Sequence, residues 1–357
     1  MKEDTTIKSP FKFLDSYSKS DRDIYFGRDA EIEELYDRIF ESNLILLYGE
    51  SGTGKTSLIN CGLANQFDER DWLPVYIRRS ENMLDSLSQA LTQAAATPIP
   101  PELPLRKKIR SLYLDFYKPI YLVFDQFEEI FILGTEEEQI QFFEAIKEIL
   151  LSEIQCKMLL SMRGEYLDKL SKYELVIPSL FDNRLYLERM SRRNLQEVVR
   201  HTTAYFQIEL EEEDLCVKQI IDNITDTEGG VELANLQIYL DKLYRSDLER
   251  RGDDPRALRF DAELFKQNRQ LEDVLADFLE EQLQTLETEL SQKGVQQKGI
   301  PLDVLFALVT EEGTKKSLVI ELLKNQLQKR KKIKADIVDY CLHRFQDLKI
   351  VRLLGDD

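Results

Sequence analysis

The chain has 357 residues and a formal net charge of −18, with 66 acidic against 48 basic side chains. This balance argues against a protein that coats nucleic acid or binds anionic membranes over its whole surface, and it leaves room only for a local basic patch. Four scattered cysteines and two distant histidines have neither metal-ligand nor disulfide spacing. The first residues lack a signal-peptide pattern and no apolar run approaches membrane-spanning length, so we expect a cytoplasmic protein without a membrane partner.

The chain begins with a polar leader, residues 1–22, which is interrupted by an apolar cluster at residues 10–14. This cluster is expected to tie the leader to the first folded domain. Phe26-Gly27-Arg28 follows, and apolar residues then recur at helical spacing. Gly27 therefore predicts a tight turn at the entry to a helix.

A full phosphate-binding loop pattern comes next. Gly49-x-x-x-x-Gly54-Lys55-Thr56 follows the apolar run 44–48, which is typical of a buried parallel strand, and precedes a dozen residues with helical spacing. Glycines let consecutive N–H groups turn around phosphate oxygens, and the helix N-terminus adds the positive end of its dipole. We expect Lys55 to reach the β- and γ-phosphates and Thr56 to hold Mg²⁺. The predicted phosphate-binding residues are Gly49, Glu50, Ser51, Gly52, Thr53, Gly54, Lys55, Thr56 and Ser57.

Strands alternate with helices through the following part of the chain. Apolar strands are predicted at 73–77, 120–125 and 156–163, and helices at 82–96, 106–116 and 136–151. Such alternation produces right-handed crossovers between parallel strands. The sequence therefore predicts an α/β fold with a doubly wound parallel sheet.

Charged side chains stand at the ends of two of these strands. Asp125 ends an apolar strand, and nucleotide-bound Mg²⁺ is held outside the carboxyl ends of parallel strands. Glu128 and Glu129 lie just beyond it and can orient or deprotonate a water. The next strand ends in Arg163, whose guanidinium can contact a γ-phosphate, with a surface ion pair as the alternative.

Strand signals stop at about residue 186, and helical periodicity takes over. The last hundred residues have the order of a winged helix. The predicted elements are helices at 302–310, 317–328 and 336–348, a strand at 349–354, and a hairpin turn at Gly355-Asp356, where the chain stops before a second wing strand. We therefore expect an all-helical domain followed by a partial winged helix.

Together these motifs resemble the STAND class of P-loop ATPases within the AAA+-like group, and in particular the bacterial novel STAND type, which includes the Avs antiviral ATPases. The resemblance covers nearly the whole chain. The matching segments are residues 9–14, residues 26–32, residues 49–57, residues 123–129 and the strand that ends in Arg163. The implied domains are a leader (1–22), a P-loop NTPase domain (23–185), a helical domain (186–255) and a winged-helix domain (256–357).

The resemblance also implies a role for each motif. Residues 26–28 would wrap the adenine and ribose, and Asp125 would be the Mg²⁺-linked acid of the second nucleotide motif. Glu128 or Glu129 would activate water, and Glu129 is slightly favoured because relatives with a shorter acidic tail keep the final acid. Arg163 would be the sensor on the fourth strand.

In function, the resemblance implies a slow ATPase that acts as a signalling switch, closed with ADP and assembled into a homo-oligomer with ATP, in antiviral or conflict defence. Sensor and effector parts would lie outside this chain. The chain departs from the family pattern at residues 232–236, which lack the proline that packs on the base in many relatives. It also stops before the histidine that often follows the wing.

Two other functions stay open. A DNA-associated AAA+ ATPase would use its winged helix on DNA, supported by the basic run 329–334, although a solvated face explains that run more simply. A nucleotide-binding scaffold without turnover is the other. The choice between ATP and GTP is also open, and the missing Asn-Lys-x-Asp signature mildly favours ATP.

Overall fold

The structure is a computed structural model that describes residues 10–12, 15–152, 154–225, 230–252, 254–268, 271–309, 318–347 and 350–351. The chain divides into two units, and the boundary between them falls after Asn268. Each unit is described by itself below. Across the described ranges, no helix is both long and apolar enough to span a bilayer.

A five-stranded parallel sheet forms the centre of the first unit. Its strands are β1 (Leu44–Gly49), β2 (Leu73–Ile77), β3 (Ile120–Phe124), β4 (Cys156–Arg163) and β5 (Arg184–Tyr186). Their order across the sheet is β2-β3-β4-β1-β5, and all neighbours are parallel. Because β4 lies between β1 and β3, the segments that follow these three strands emerge side by side at one edge.

Helices connect these strands. Those up to residue 171 are α1 (Asp29–Glu41), α2 (Lys55–Ser57), α3 (Met83–Ala94), α4 (Leu105–Phe116), α5 (Glu129–Ile132), α6 (Glu136–Leu150) and α7 (Leu167–Ser171). The regular helix expected after the phosphate loop is irregular, because α2 continues as a π-turn at Leu58–Gly62 and a 3₁₀ turn at Leu63–Asn65.

The side chains of β1 show why the sheet lies between two helical layers. Leu44 and Leu46 pack into a core that includes residues of α3, α4 and α6, whereas Ile45 and Leu47 pack into a core that includes residues of α1 and the π-turn. A parallel strand that is buried on both faces reads as a continuous apolar run. The predicted doubly wound α/β fold is confirmed.

The rest of the first unit is mainly helical. Its elements are α8 (Arg192–Tyr205), β6 (Glu209–Leu210), α9 (Glu213–Ile224), α10 (Leu233–Arg250), β7 (Arg259–Phe260) and α11 (Ala262–Gln267). The parallel pair β6 and β7 joins two parts of this region, and it was not predicted. Strands of two or three residues are too short to show alternation, which is also why β5 was missed.

The expected boundary at residue 255 falls inside the first unit. Arg250 explains why, since its guanidinium binds Asp247 on its own helix and Asp261 beyond the turn. The backbone N–H of Arg259 also donates to Asp247 Oδ2 at 2.6 Å. These contacts fold the chain back, so the region ends only after α11. The separate P-loop and helical domains stay a prediction.

The second unit contains α12 (Leu271–Gln292), α13 (Ile300–Ala307), α14 (Ile320–Lys331) and α15 (Ala335–Asp347). Its core combines apolar side chains of all four helices, among them Leu286, Val304, Leu323 and Phe345. The last three helices match the predicted ones within a few residues. Of the wing strand expected at 349–354, only residues 350–351 are described, so that prediction lies outside the described residues.

Candidate nucleotide-binding site

The carboxyl edge of the sheet borders a cleft of about 260 Å³. One wall comes from the segments after β1, β3 and β4 and the other from α8 and α10, and the leader lies between them. Clefts at this edge are where parallel α/β sheets bind ligands. The strand order therefore places Lys55, Asp125 and Arg163 around one volume, although more than 100 residues separate the first of them from the last.

The phosphate loop connects β1 to α2 through two left-handed glycines. Gly52 has φ +76° and Gly54 has φ +90°, a region that other residues rarely adopt. A Cβ on Gly54 would also lie 3.0 Å from Leu233 Cδ1. The loop thus needs glycine both for its turn and for its approach to α10.

Lys55 points its ammonium back over the loop. Its Nζ donates to the carbonyl oxygens of Gly49 at 3.0 Å and Glu50 at 2.7 Å. Burial lowers the pKa of Lys55, and the nearby carboxylates of Glu128 and Asp125 oppose that shift. A partly desolvated ammonium beside the backbone of the loop is suited to bind phosphate oxygens.

Thr56 and Asp125 meet beside the loop. The Thr56 hydroxyl lies 3.1 Å from Oδ1 and 3.2 Å from Oδ2 of Asp125, whose side chain is buried. A hydroxyl beside a carboxylate is the oxygen set that Mg²⁺ takes from a protein when phosphates supply further ligands. The two predicted metal ligands therefore fit a Mg²⁺ ion. Arg78, which no motif indicated, donates to the same carboxylate.

Glu128 and Arg163 form an ion pair inside the cleft. Arg163 Nε lies 3.1 Å from Glu128 Oε1, and the backbone N–H of Arg163 donates to Oε2 at 3.2 Å. Burial raises the pKa of Glu128, against the opposing effect of these contacts. A carboxylate with a raised pKa is a better proton acceptor for a water.

The structure separates the two candidate glutamates. Glu128 lines the cleft with Lys55 and Asp125. Glu129 opens α5, and it is not among the described residues that line the cleft. The turn after β3 directs the earlier carboxylate toward the phosphate loop, so the geometry favours Glu128, and the sequence preference for Glu129 stays a prediction.

Phe26 and Arg28 both line the cleft, but their side chains have different partners. Phe26 lines the cleft, and its ring lies 5.3 Å from that of His201 on α8. The buried Arg28 donates to the carbonyl oxygens of Thr53 and Glu188, both at 2.9 Å, and pairs with Glu31. The Arg28 guanidinium is thus already bonded to a carbonyl of the phosphate loop, and the expected contact of residues 26–28 with adenine and ribose stays a prediction.

Gly27 supplies the turn that was expected there. It has φ +81°, and a Cβ at this position would lie 2.8 Å from Val198 Cγ2 on α8. The Asn194 side chain also donates to the Gly27 carbonyl at 3.1 Å. This turn therefore joins the entry of α1 closely to the helical wall.

The opposite wall was not predicted from the sequence. It includes Met190, Val198, Leu233, Leu236 and Gln237. An apolar residue on an amphipathic helix is predicted to lie in the core unless it belongs to a known binding motif. The sequence pointed to this wall only through the family resemblance. Residues 232–236 correspond to the segment whose proline packs on the base in many relatives.

The leader crosses between the two walls. Phe11 is buried against the rings of Phe206 and Tyr244, and the Lys12 N–H donates to Gln237 Oε1 at 3.1 Å. Farther along, the Tyr17 N–H donates to Ser57 Oγ at 3.1 Å. Ser57 therefore anchors the leader here. Phe11 of the apolar cluster thus packs on the helical region after residue 186, whereas the cluster was expected to tie the leader to the first domain, and residues 9, 13 and 14 lie outside the described residues.

A protein-family model for novel STAND NTPase 1 matches residues 10–354. No curated protein matches the chain. Among solved structures, the chain is similar to the Walker-type ATPase PABY2304 of Pyrococcus abyssi, with 14% identity and TM-score 0.51 over 93% of this chain and 92% of that one.

Two ORC proteins of Aeropyrum pernix are also similar in fold. ORC1, solved in complex with DNA, has 15% identity and TM-score 0.52 over 92% of this chain and 85% of its own. ORC2 in its ADP form has 15% identity and TM-score 0.53 over 95% and 90%. At these identities the likeness shows the fold, which is that of P-loop ATPases.

Proposed function

The chain belongs to the novel STAND NTPase 1 family, and we propose that it is a Mg²⁺-dependent ATPase that turns over slowly and acts as a nucleotide-controlled switch. One observation carries this proposal. Lys55, Thr56, Asp125, Glu128 and Arg163 line one cleft, and the helical wall closes its other side. Phosphate binding, metal binding and water activation each have a residue of the required chemistry there.

The division of labour follows from the contacts. The N–H groups of the loop and Lys55 bind the phosphates, and Thr56 with Asp125 holds the metal. When bound, Mg²⁺ neutralises part of the phosphate charge. Glu128 accepts a proton from the attacking water, and Arg163 leaves Glu128 to stabilise charge on the γ-phosphate.

A switch requires that the nucleotide touch two parts that can shift relative to each other. Leu233 lines the cleft beside Gly54, so a nucleotide on the phosphate loop would also reach the helical wall. Loss of the γ-phosphate would remove differential contacts from Arg163, and this would change the preferred position of the helical wall. The ADP-closed and ATP-assembled states, the homo-oligomer, and external sensor and effector parts belong to the same proposal. A defence role follows from the family resemblance, and so does a cytoplasmic location.

Adenine is the base that we propose for this cleft. Tyr17, Tyr25 and Phe26 line it together with apolar residues of the helical wall. Aromatic and apolar surfaces bind a purine through stacking and burial. ORC2 was solved with ADP, and the guanine-reading signature is missing from this sequence.

DNA binding is the second candidate, because ORC1 was solved with DNA and residues 329–334 are basic. The formal net charge of −18 disfavours it, and one cation of this run, Lys331, is already paired in the second unit. Lys324 pairs with Asp339 on α15, and Lys331 pairs with Asp303. Such pairing reduces the number of cations that could release counterions from DNA. A scaffold that binds nucleotide without turnover is a third candidate. It would result if Glu128 stayed paired with Arg163 and did not activate a water.

Calorimetry with ATP, ADP and GTP, combined with a phosphate-release assay with and without EDTA, tests the proposal. We expect tight ATP and ADP binding and slow, Mg²⁺-dependent phosphate release. Preference for GTP would contradict the adenine assignment. Nucleotide binding without phosphate release would favour the scaffold, and salt-dependent binding of a fluorescent DNA duplex would favour the DNA-linked ATPase.

A further inference from the structure

Arg78 stands beside Asp125 because of strand register. β2 and β3 are parallel and pair Ile77 with Phe124. The Asp125 N–H also donates to the Ile77 carbonyl at 3.1 Å. The residues that follow these two positions therefore leave the sheet side by side, and the register brings a guanidinium to the carboxylate.

The contact is made on one carboxylate oxygen. Arg78 Nη2 lies 2.5 Å and Nε 3.2 Å from Asp125 Oδ2. The Asp125 side chain is 7% exposed, whereas that of Arg78 is 46% exposed. In this ion pair the carboxylate is thus buried, whereas the guanidinium is open to water.

The neighbouring Arg79 has a different environment. Its side chain is buried and makes two bonds of 2.9 Å to Glu138, which also accepts the Met83 N–H at 2.9 Å. These contacts fix the end of β2 to the starts of α3 and α6. Arg78 is therefore presented from a rigid backbone, while its own side chain can move into water.

We propose that Arg78 is a positioning residue that competes with Mg²⁺ for Asp125, and so sets the Mg²⁺ concentration that nucleotide binding requires. The inference rests on the proposed nucleotide site. A guanidinium and a divalent cation on one oxygen repel each other, so metal binding requires Arg78 to withdraw. The apparent metal affinity falls with the fraction of Asp125 that Arg78 occupies.

A purely structural role predicts the opposite sign. If Arg78 only held the Asp125 carboxylate in place, its removal would loosen a metal ligand, and more Mg²⁺ would be needed. If Arg78 competes, its removal frees the ligand, and less Mg²⁺ is needed. The direction of the change therefore distinguishes the two roles.

The experiment measures binding of a fluorescent ADP analogue to the full chain as a function of Mg²⁺ concentration. Arg78→Ala should lower the half-saturating Mg²⁺ concentration by about three- to tenfold, since the partner is half exposed and partly screened. Arg78→Gln, which keeps a donor without the charge, should give an intermediate value. Arg70→Ala, at an exposed arginine before the other end of β2, is the matched control and should match the wild type.

Two further measurements secure the interpretation. In an Asp125→Asn background, Arg78→Ala should no longer change the Mg²⁺ midpoint, as a double-mutant cycle requires of a direct pair. Mn²⁺ titration of the nucleotide-free protein by electron paramagnetic resonance should show tighter binding in Arg78→Ala than in the wild type. An unchanged or raised midpoint in Arg78→Ala would overturn the proposal. Failure of the wild type to bind nucleotide would overturn the proposed function instead, and the Mn²⁺ comparison would still test Arg78.

Discussion

The two walls of the cleft are built from different chemistry. The sheet wall carries charges that are already paired, Lys55 with backbone carbonyls, Asp125 with Arg78, and Glu128 with Arg163. The helical wall is largely apolar. A polar wall suits chemistry, because groups of the required charge are already gathered there and only Arg78 and Arg163 have to change partners. An apolar wall that packs through a few side chains suits a part whose position responds to a ligand.

The largest expected effect is on the sheet wall. Lys55→Ala should weaken ATP binding by about 2–5 kcal/mol, because a desolvated charge partner of the phosphates is removed. The fold should survive, since Lys55 bonds only loop carbonyls and is half-buried. Calorimetry measures the affinity, and Lys107→Ala on the exposed face of α4 is the control. Equal ATP affinity in Lys55→Ala and the wild type would show that the sheet wall does not hold the phosphates.

The next effect separates two adjacent acids on that wall. Glu128→Gln should leave ATP binding intact and slow phosphate release by about 100-fold or more, because the proton acceptor is lost. Glu129→Gln is the matched control, and its rate should stay close to that of the wild type. A slow Glu129→Gln with a fast Glu128→Gln would reverse the assignment, and two fast variants would remove water activation from both.

These predictions also show where sequence reasoning succeeds. Lys55 and Asp125 were predictable because a loop between a strand and a helix, and an acid at a strand end, are local patterns. The choice between Glu128 and Glu129 was not, because it depends on how the turn after β3 ends before α5. Arg78 depends on the register of β2 against β3, which follows no local pattern.

The helical wall was missed for a related reason. Leu233 and Val198 fit the apolar stripe of a helix. Such a stripe does not show whether its residues pack in the core or line a ligand-binding cleft. Sequence patterns therefore described most of the fold and the chemical half of the site. The helical half of the site depends on packing between the leader and helices that are distant in sequence, so it could be identified only from the structure.

A smaller effect is expected from the leader, which spans both walls. Phe11→Ala removes a buried ring between Phe206 and Tyr244, and it should lower the melting temperature. It should also speed ADP dissociation by about five- to tenfold, at the low end of coupling between sites. Stopped-flow chase of a fluorescent ADP measures this rate. Phe306→Ala, at a 76% exposed ring of α13, is the control. A lower melting temperature with an unchanged off-rate would limit the leader to stability.

Hydrogen–deuterium exchange with and without Mg²⁺·ADP tests the central claim most directly, since it reports on both walls in one measurement. The account predicts that ADP slows exchange in residues 49–57 of the sheet wall, and also in residues 233–237 of the helical wall and 15–17 of the leader. Protection confined to residues 49–57 would contradict it, because the nucleotide would then contact the phosphate loop without engaging the part proposed to switch.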